Sequence, residues 1–173
     1  MKSLWLLFVV GAALAWGAYV PTIHHGQLSL GGPNRAMRAF LFVGLAYFLA
    51  AVIVPGVWLV ASPDHVPFTR SGVKLATAAG LLGAAGALCV IFALKFGGKP
   101  FYVAPLVFGG APLINVLISW YWDRPHNPPH ALFYLGILLL AAGVFLVLRY
   151  KPDDGPAKHS AAPALVSHQA QSR

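Results

Sequence analysis

Within a chain of apolar runs, Trp16, Tyr19, Tyr47, Asn115 and Ser119 are the side chains best suited to bind a solute without using charge. Trp and Tyr combine a ring face with an N–H or O–H donor, and amide and hydroxyl groups add donors and acceptors that stay neutral. Sugar-like and nucleoside-like molecules are the solutes this chemistry reads. Catalysis finds no comparable set. No nucleophile has a base at readable spacing, no Gly-rich phosphate loop follows a strand, and no pair of His residues within the apolar runs suits haem. Asp64, His65, Asp123, His126 and His130 are donors of the right type for a divalent metal. Yet "HNPPH" cannot place both rings on one helical face, because its prolines forbid the hydrogen-bond ladder, and no recognised ligand spacing is present. Cys89 is the single cysteine, which leaves neither a disulfide framework nor a cysteine metal site. No enzyme activity, metal or cofactor is expected.

Spacing groups the binding candidates. Trp16 and Tyr19 are three residues apart in "AWGAYVPTIHHGQ" and therefore share a helical face. Gly17 and Pro21 thin and bend that helix beside the aromatic pair, as a ligand groove would require. The competing reading takes Trp16 and Tyr19 as an interfacial belt, with Pro21 ending the helix and His24 and His25 among the headgroups. On that account the stretch is chiefly a membrane exit. In "FYVAPLVFGGAPLINVLISWYW", Pro105, Gly109 and Pro112 fall at i, i+4 and i+7 on one face, Ser119 continues the stripe and Asn115 lies at its edge. Each proline removes an amide donor and frees a carbonyl, so this helix is expected to break or kink near its middle. Freed backbone groups at that depth face protein or a cavity, and discontinuous helices at the midplane form substrate sites in secondary transporters. Pro112 joins the binding set on that ground. Alternatively the prolines only shape a packing surface, with Ser119 and Asn115 bonded to neighbouring helices.

The elements that must position these residues follow from composition. Of 173 residues, 58% are hydrophobic and 9% charged, and mean hydropathy is +0.72. A soluble domain carries about 25% charged residues, so this surface is built for lipid. Apolar runs of 18 or more residues mark membrane-spanning helices, and no barrel-type alternation is present. The expected fold is all-α: an integral membrane bundle of five transmembrane helices over residues 1–150, in the cytoplasmic (inner) membrane. The spans are Leu4 to Ile23, Met37 to Ala61, Gly72 to Lys95, Phe101 to Trp122 and His130 to Arg149. "GGPNR", "SPDHVP", "GGKP" and "DRPHNPP" separate them, supplying turn geometry and withholding amide donors. Lys2 and "ALA" at Ala13 to Ala15 mimic a signal-peptide cleavage site, but the apolar stretch continues to Ile23 and is long enough to span. Residues 151–173 are short of large apolar groups and are expected to form a disordered polar tail.

The net charge of +8 is dispersed over loops and tail, which argues for anchoring to membrane lipid headgroups and against a nucleic-acid partner. Alternating spans place Arg35, Arg38, Lys95, Lys99, Arg149 and Lys151 on one side and Lys2, Arg70, Lys74 and Arg124 on the other. The positive-inside rule then puts the carboxyl terminus in the cytoplasm and the amino terminus outside. The margin is small enough to leave dual insertion open. In the third span, Ala76, Gly80 and Ala84, and likewise Ala79, Gly83 and Ala87, form small-residue rows that admit close helix packing.

From Cys89 onward, "CVIFALKFGGKPFYVAPLVFGGAPLINVLISWYW" followed by "FYLGILLLAAGVFLVLRYKP" resembles part of an EamA-type repeat of the drug/metabolite transporter superfamily. The matching features are a small-residue helix, a short loop, a helix with Pro112 near its middle, and a last helix with Gly136 and Gly143 ending in a basic residue. "AWGAYVP" is similar to the Trp-Gly of first helices in such repeats, including the glucose and ribose porter branch. The chain departs from the pattern in having "WDRP" and no glutamate where family members often carry one after the proline helix. The resemblance implies a half-size unit, since members usually fuse two inverted five-helix repeats. The missing half would come from a second copy or another membrane subunit. Two functions are therefore expected in competition: a transporter of a neutral polar small molecule working as a dimer, or a structural or assembly subunit of a membrane complex without transport activity. Without an intramembrane carboxylate, proton-coupled export of cationic drugs is disfavoured.

Overall fold

A computed structural model describes residues 4–63, 66–122 and 129–152. Five helices in it are long and apolar enough to cross a membrane: α1 (Leu4–Leu30), α2 (Arg35–Ala61), α3 (Arg70–Lys95), α4 (Pro100–Trp122) and α5 (Ala131–Arg149). No strand occurs among the described residues. The chain is an all-α, multi-pass membrane bundle, and four of the five spans match the expected limits to within a few residues. Asp64, His65, Asp123, His126 and the tail from residue 153, expected to be disordered, lie outside the described residues.

The first span is longer than its sequence indicates. Pro21 lies inside α1 instead of ending it, and His24 and His25 are helical. A proline removes one ladder bond, here the one to the Gly17 carbonyl, and a helix in a packed bundle tolerates that loss. One residue beyond, the Thr22 hydroxyl donates to the Ala18 carbonyl at 2.8 Å. Termination comes at Gly31 and Gly32, whose φ values of 57° and 73° are left-handed and open to glycine at little cost. There Arg38 of α2 donates through Nη1 to the Leu30 carbonyl at 3.2 Å and satisfies one of the orphan acceptors at the helix end.

Proline acts differently in α2. Residues Leu49–Ile53 form a π turn, in which Val54 N–H donates back to the Leu49 carbonyl. Pro55 follows immediately, and in a regular ladder its ring would press on the Ala51 carbonyl. Widening the preceding turn relieves that contact. In α4, by contrast, Pro105 and Pro112 sit within an uninterrupted helix from Pro100 to Trp122. The expected break does not form. Each proline costs a single ladder bond there, which leaves the turns on either side intact.

Burial is concentrated at one end of the bundle. Val20, Ala39, Ala87, Ile91, Leu94 and Val103 are all buried, and they come from the later half of α1, the start of α2, the end of α3 and the start of α4. Residues 4–18, 44–61, 70–83 and 117–122 are exposed throughout. Apolar side chains facing lipid cost nothing, since acyl chains are as apolar as leucine. Gln27 is the buried polar residue of the closed end, 2% exposed. Its Nε2 donates to the Ile91 carbonyl at 3.3 Å and ties α1 to α3. Gln27→Ala is expected to lower unfolding stability by about 1 to 2 kcal/mol, because it removes an interhelical bond and leaves a void. Gln27→Leu should cost less than about 1 kcal/mol, since it refills the volume and the Ile91 carbonyl keeps its helical partner. Detergent-unfolding curves of the two variants check this; equal losses would show that the bond, not the packing, holds the helices.

Candidate functional site

Reading α1 through to Leu30 changes the setting of its aromatic pair. Trp16 and Tyr19 flank the middle of a 27-residue helix, far from either end. Their rings meet edge to face with centroids 5.5 Å apart. Trp16 also meets Phe108 of α4 edge to face at 5.9 Å, so the three rings form a wall joining α1 to α4. Tyr19 and Phe108 rest in turn on the buried cluster of Val20, Val90, Leu94 and Val103. The rings are thereby held on the packed part of the bundle.

Tyr19 also lines a cleft of about 640 Å³ between α1 and α2. One wall carries Ala15, Ala18, Thr22 and Gly26, and the other Ala39, Phe42, Val43 and Ala46. Small residues at helical spacing keep the α1 wall shallow. Among the described residues no charged side chain lines the cleft; its polar lining residues are Tyr19, Thr22 and Ser29. Thr22 spends its hydrogen on Ala18. The Tyr19 hydroxyl is buried with no hydrogen-bond partner among the described residues. A buried unpaired hydroxyl costs about 1 to 3 kcal/mol, a cost that an acceptor in the cleft would recover if the Tyr19 ring turned its hydroxyl toward it.

The remaining candidates divide. Tyr47 of α2 is exposed and follows the cleft residue Ala46 in the chain. Pro112 is half-buried, one turn beyond Phe108. Asn115 and Ser119 are exposed, about 10 and 16 Å farther along the axis of α4 than Phe108 by helical rise, and neither lines the α1–α2 cleft. The face that carries Pro105 and Pro112 has a packing partner: a Cβ placed on Gly109 would lie 2.5 Å from Cγ2 of Val144 in α5. His130 caps α5, its Nδ1 accepting from Leu132 N–H at 3.2 Å.

Sequence reasoning passed over Thr22, Ser29 and Phe108. The two hydroxyls were legible as a stripe with Tyr19 at i, i+3 and i+10, had the helix been continued past Ile23. Phe108 carried no signal, since its role depends on which helix meets Trp16. The arrangement as a whole is a neutral, mostly apolar groove with one buried unpaired donor and an aromatic flank. Comparison of the chain with protein-family models, curated proteins and solved structures finds no match.

Proposed function

We propose that the chain is a half-size, EamA-like membrane protein that moves, or helps to move, a neutral small molecule, working as a dimer. The buried, unpartnered Tyr19 hydroxyl at the α1–α2 cleft carries this reading. A neutral solute with a hydrogen-bond acceptor fits that groove beside Tyr19, which Trp16 buttresses from outside the lining, whereas a charged one finds no counter-charge among the described lining residues. Pairing with a second copy is supported by α3, where Gly80, Gly83 and Gly86 have open space at the Cβ position. Small-residue faces of this kind admit close helix approach in lipid.

The same open faces also suit an assembly subunit, and the exposed positions of Asn115 and Ser119 favour that second reading, because a neighbouring chain could bond them. Solute-induced thermal stabilisation separates the two. The parent is expected to respond to at least one neutral class among sugars, nucleosides and small metabolites. Tyr19→Phe should keep its fold and bind that solute about 2- to 10-fold more weakly, the worth of one hydrogen bond. No response from the parent across these classes would turn the assignment to the assembly subunit.

The proposed location is the cytoplasmic membrane with the carboxyl terminus inside. Arg35, Arg38, Lys95, Lys99, Arg149 and Lys151 gather at the closed end, and Arg70 and Lys74 stand at the start of α3. The side with more Lys and Arg near span ends stays cytoplasmic. Reporter fusions after Lys151 are expected to give cytoplasmic signal, and a predominantly periplasmic signal would reverse the assignment.

A further inference from the structure

The closed end of the bundle gathers its lysines around one turn. Between α3 and α4 the chain reverses over Phe96–Lys99, and the Tyr102 hydroxyl closes the turn by donating to the Gly97 carbonyl at 3.0 Å. Lys95 places its Nζ 5.6 Å from the Phe92 ring centroid and 5.8 Å from that of Phe96, two rings that are stacked on each other. Lys151, beyond the end of α5, lies over Tyr102 at 5.6 Å. Lys99 belongs to the turn itself. Ring faces thus hold two of the three ammonium groups close to the turn and limit their freedom. Asp153 and Asp154 follow Lys151 in sequence; set against Lys95, Lys99, Arg149 and Lys151, they leave an excess of two positive charges.

Beside the cations the surface is aromatic and open. Phe96 is 79% exposed, Phe101 78% and Tyr150 74%. A free phosphate ion has no use for such rings. A phospholipid does, because its headgroup and glycerol region rest at the depth where aromatic side chains gather, directly above its acyl chains. The geometry points to a binding site for an anionic phospholipid at the α3–α4 turn, with Lys95, Lys99 and Lys151 on the phosphate and Phe96 and Phe101 against the glycerol and upper acyl carbons. It is separate from the α1–α2 cleft and does not depend on transport.

Native mass spectrometry of the full chain from mixed micelles of phosphatidylglycerol and phosphatidylcholine tests the site. The parent is expected to retain phosphatidylglycerol in preference. Lys95→Gln, Lys99→Gln and Lys151→Gln should each weaken that preference about fivefold, and the triple variant on the order of a hundredfold. The corresponding Lys→Arg triple should keep it, as should Arg70→Gln/Lys74→Gln at the start of α3. If the triple Gln variant does not insert, the exposed Lys151→Gln alone carries the comparison. The site is refuted if Lys151→Gln retains lipid as the parent does, if Arg70→Gln/Lys74→Gln loses as much as the lysine variants, or if inorganic phosphate displaces the lipid.

Discussion

Gly109→Leu should be the most damaging single change in the helical core, forcing α4 away from α5. Even one added carbon at this position would lie 2.5 Å from Val144 Cγ2, well inside van der Waals contact. Val144 is β-branched and stiff about χ1, so it cannot swing aside as a longer side chain would. The α4–α5 pair is also the most extensive helix contact in the bundle, and α5 has no buried residue of its own with which to compensate. Gly109→Ala is expected to lower stability by about 1 to 3 kcal/mol, the usual cost of overpacking, and Gly109→Leu by more. Val144→Ala should offer relief: in the double variant Gly109→Ala/Val144→Ala, at least about 1 kcal/mol of the loss should return as coupling between the sites. Unfolding in denaturing detergent, followed for all four proteins, measures this. A neutral Gly109→Ala would mean that the two helices are not in the close register described.

Trp16→Ala is expected to injure both the fold and the proposed binding site. The indole contacts Tyr19 at 5.5 Å and Phe108 at 5.9 Å, so its removal breaks two edge-to-face pairs and the aromatic link between α1 and α4. Aromatic pairs contribute about 0.5 to 1.5 kcal/mol each, which sets the stability loss near 1 to 3 kcal/mol. Trp16 is 41% exposed, and the lower half of that range is the better guide. Trp16→Phe keeps an aromatic ring and should recover most of the stability. Solute response is the more telling readout. Neither Trp16 nor Phe108 lines the α1–α2 cleft, but Trp16 touches the lining residue Tyr19 directly and Phe108 only touches Trp16, so Trp16→Ala should weaken the response more than Phe108→Ala. Full retention of a ligand response in Trp16→Ala would separate the aromatic wall from solute binding.

What the sequence conveyed clearly were properties that depend on local composition. Five spans emerge because twenty apolar residues in a row have no other stable environment, and Gly31–Gly32 and Phe96–Lys99 read as turns from their glycines alone. Effects of proline were harder to read, since the same residue has two outcomes here, an unbroken helix or a widened turn. Pro21 is absorbed by α1, Pro55 comes with a π turn, and Pro105 and Pro112 leave α4 unbroken. Proline always removes a donor, but the surroundings decide how the helix responds. Reading Pro21 as a terminator also hid Gln27, a lone amide in an apolar helix whose partner on α3 is 64 residues away. Among the candidate residues, the contact between Trp16 and Tyr19 was legible because three-residue spacing is a local fact. Asn115 and Ser119 shared their helical face on paper with Pro112, yet which face meets a cleft is decided by the neighbouring helices, and no periodicity within α4 records it.

The π turn at Leu49–Ile53 also alters the angular bookkeeping of α2. Each residue of an α-helix advances the side-chain direction by about 100°, and a turn closed by an i to i−5 bond takes up one residue more than its neighbours. Everything after Ile53 is therefore out of phase, by about one residue, with a helical wheel drawn from Arg35. The cleft wall of Ala39, Val43 and Ala46 would continue on a regular wheel through Ile53, Val57 and Val60. With the extra residue, that azimuth belongs to Val54, Trp58 and Ala61. An indole, and not a valine, is rotated onto the line of the groove as it runs toward the open end of the bundle.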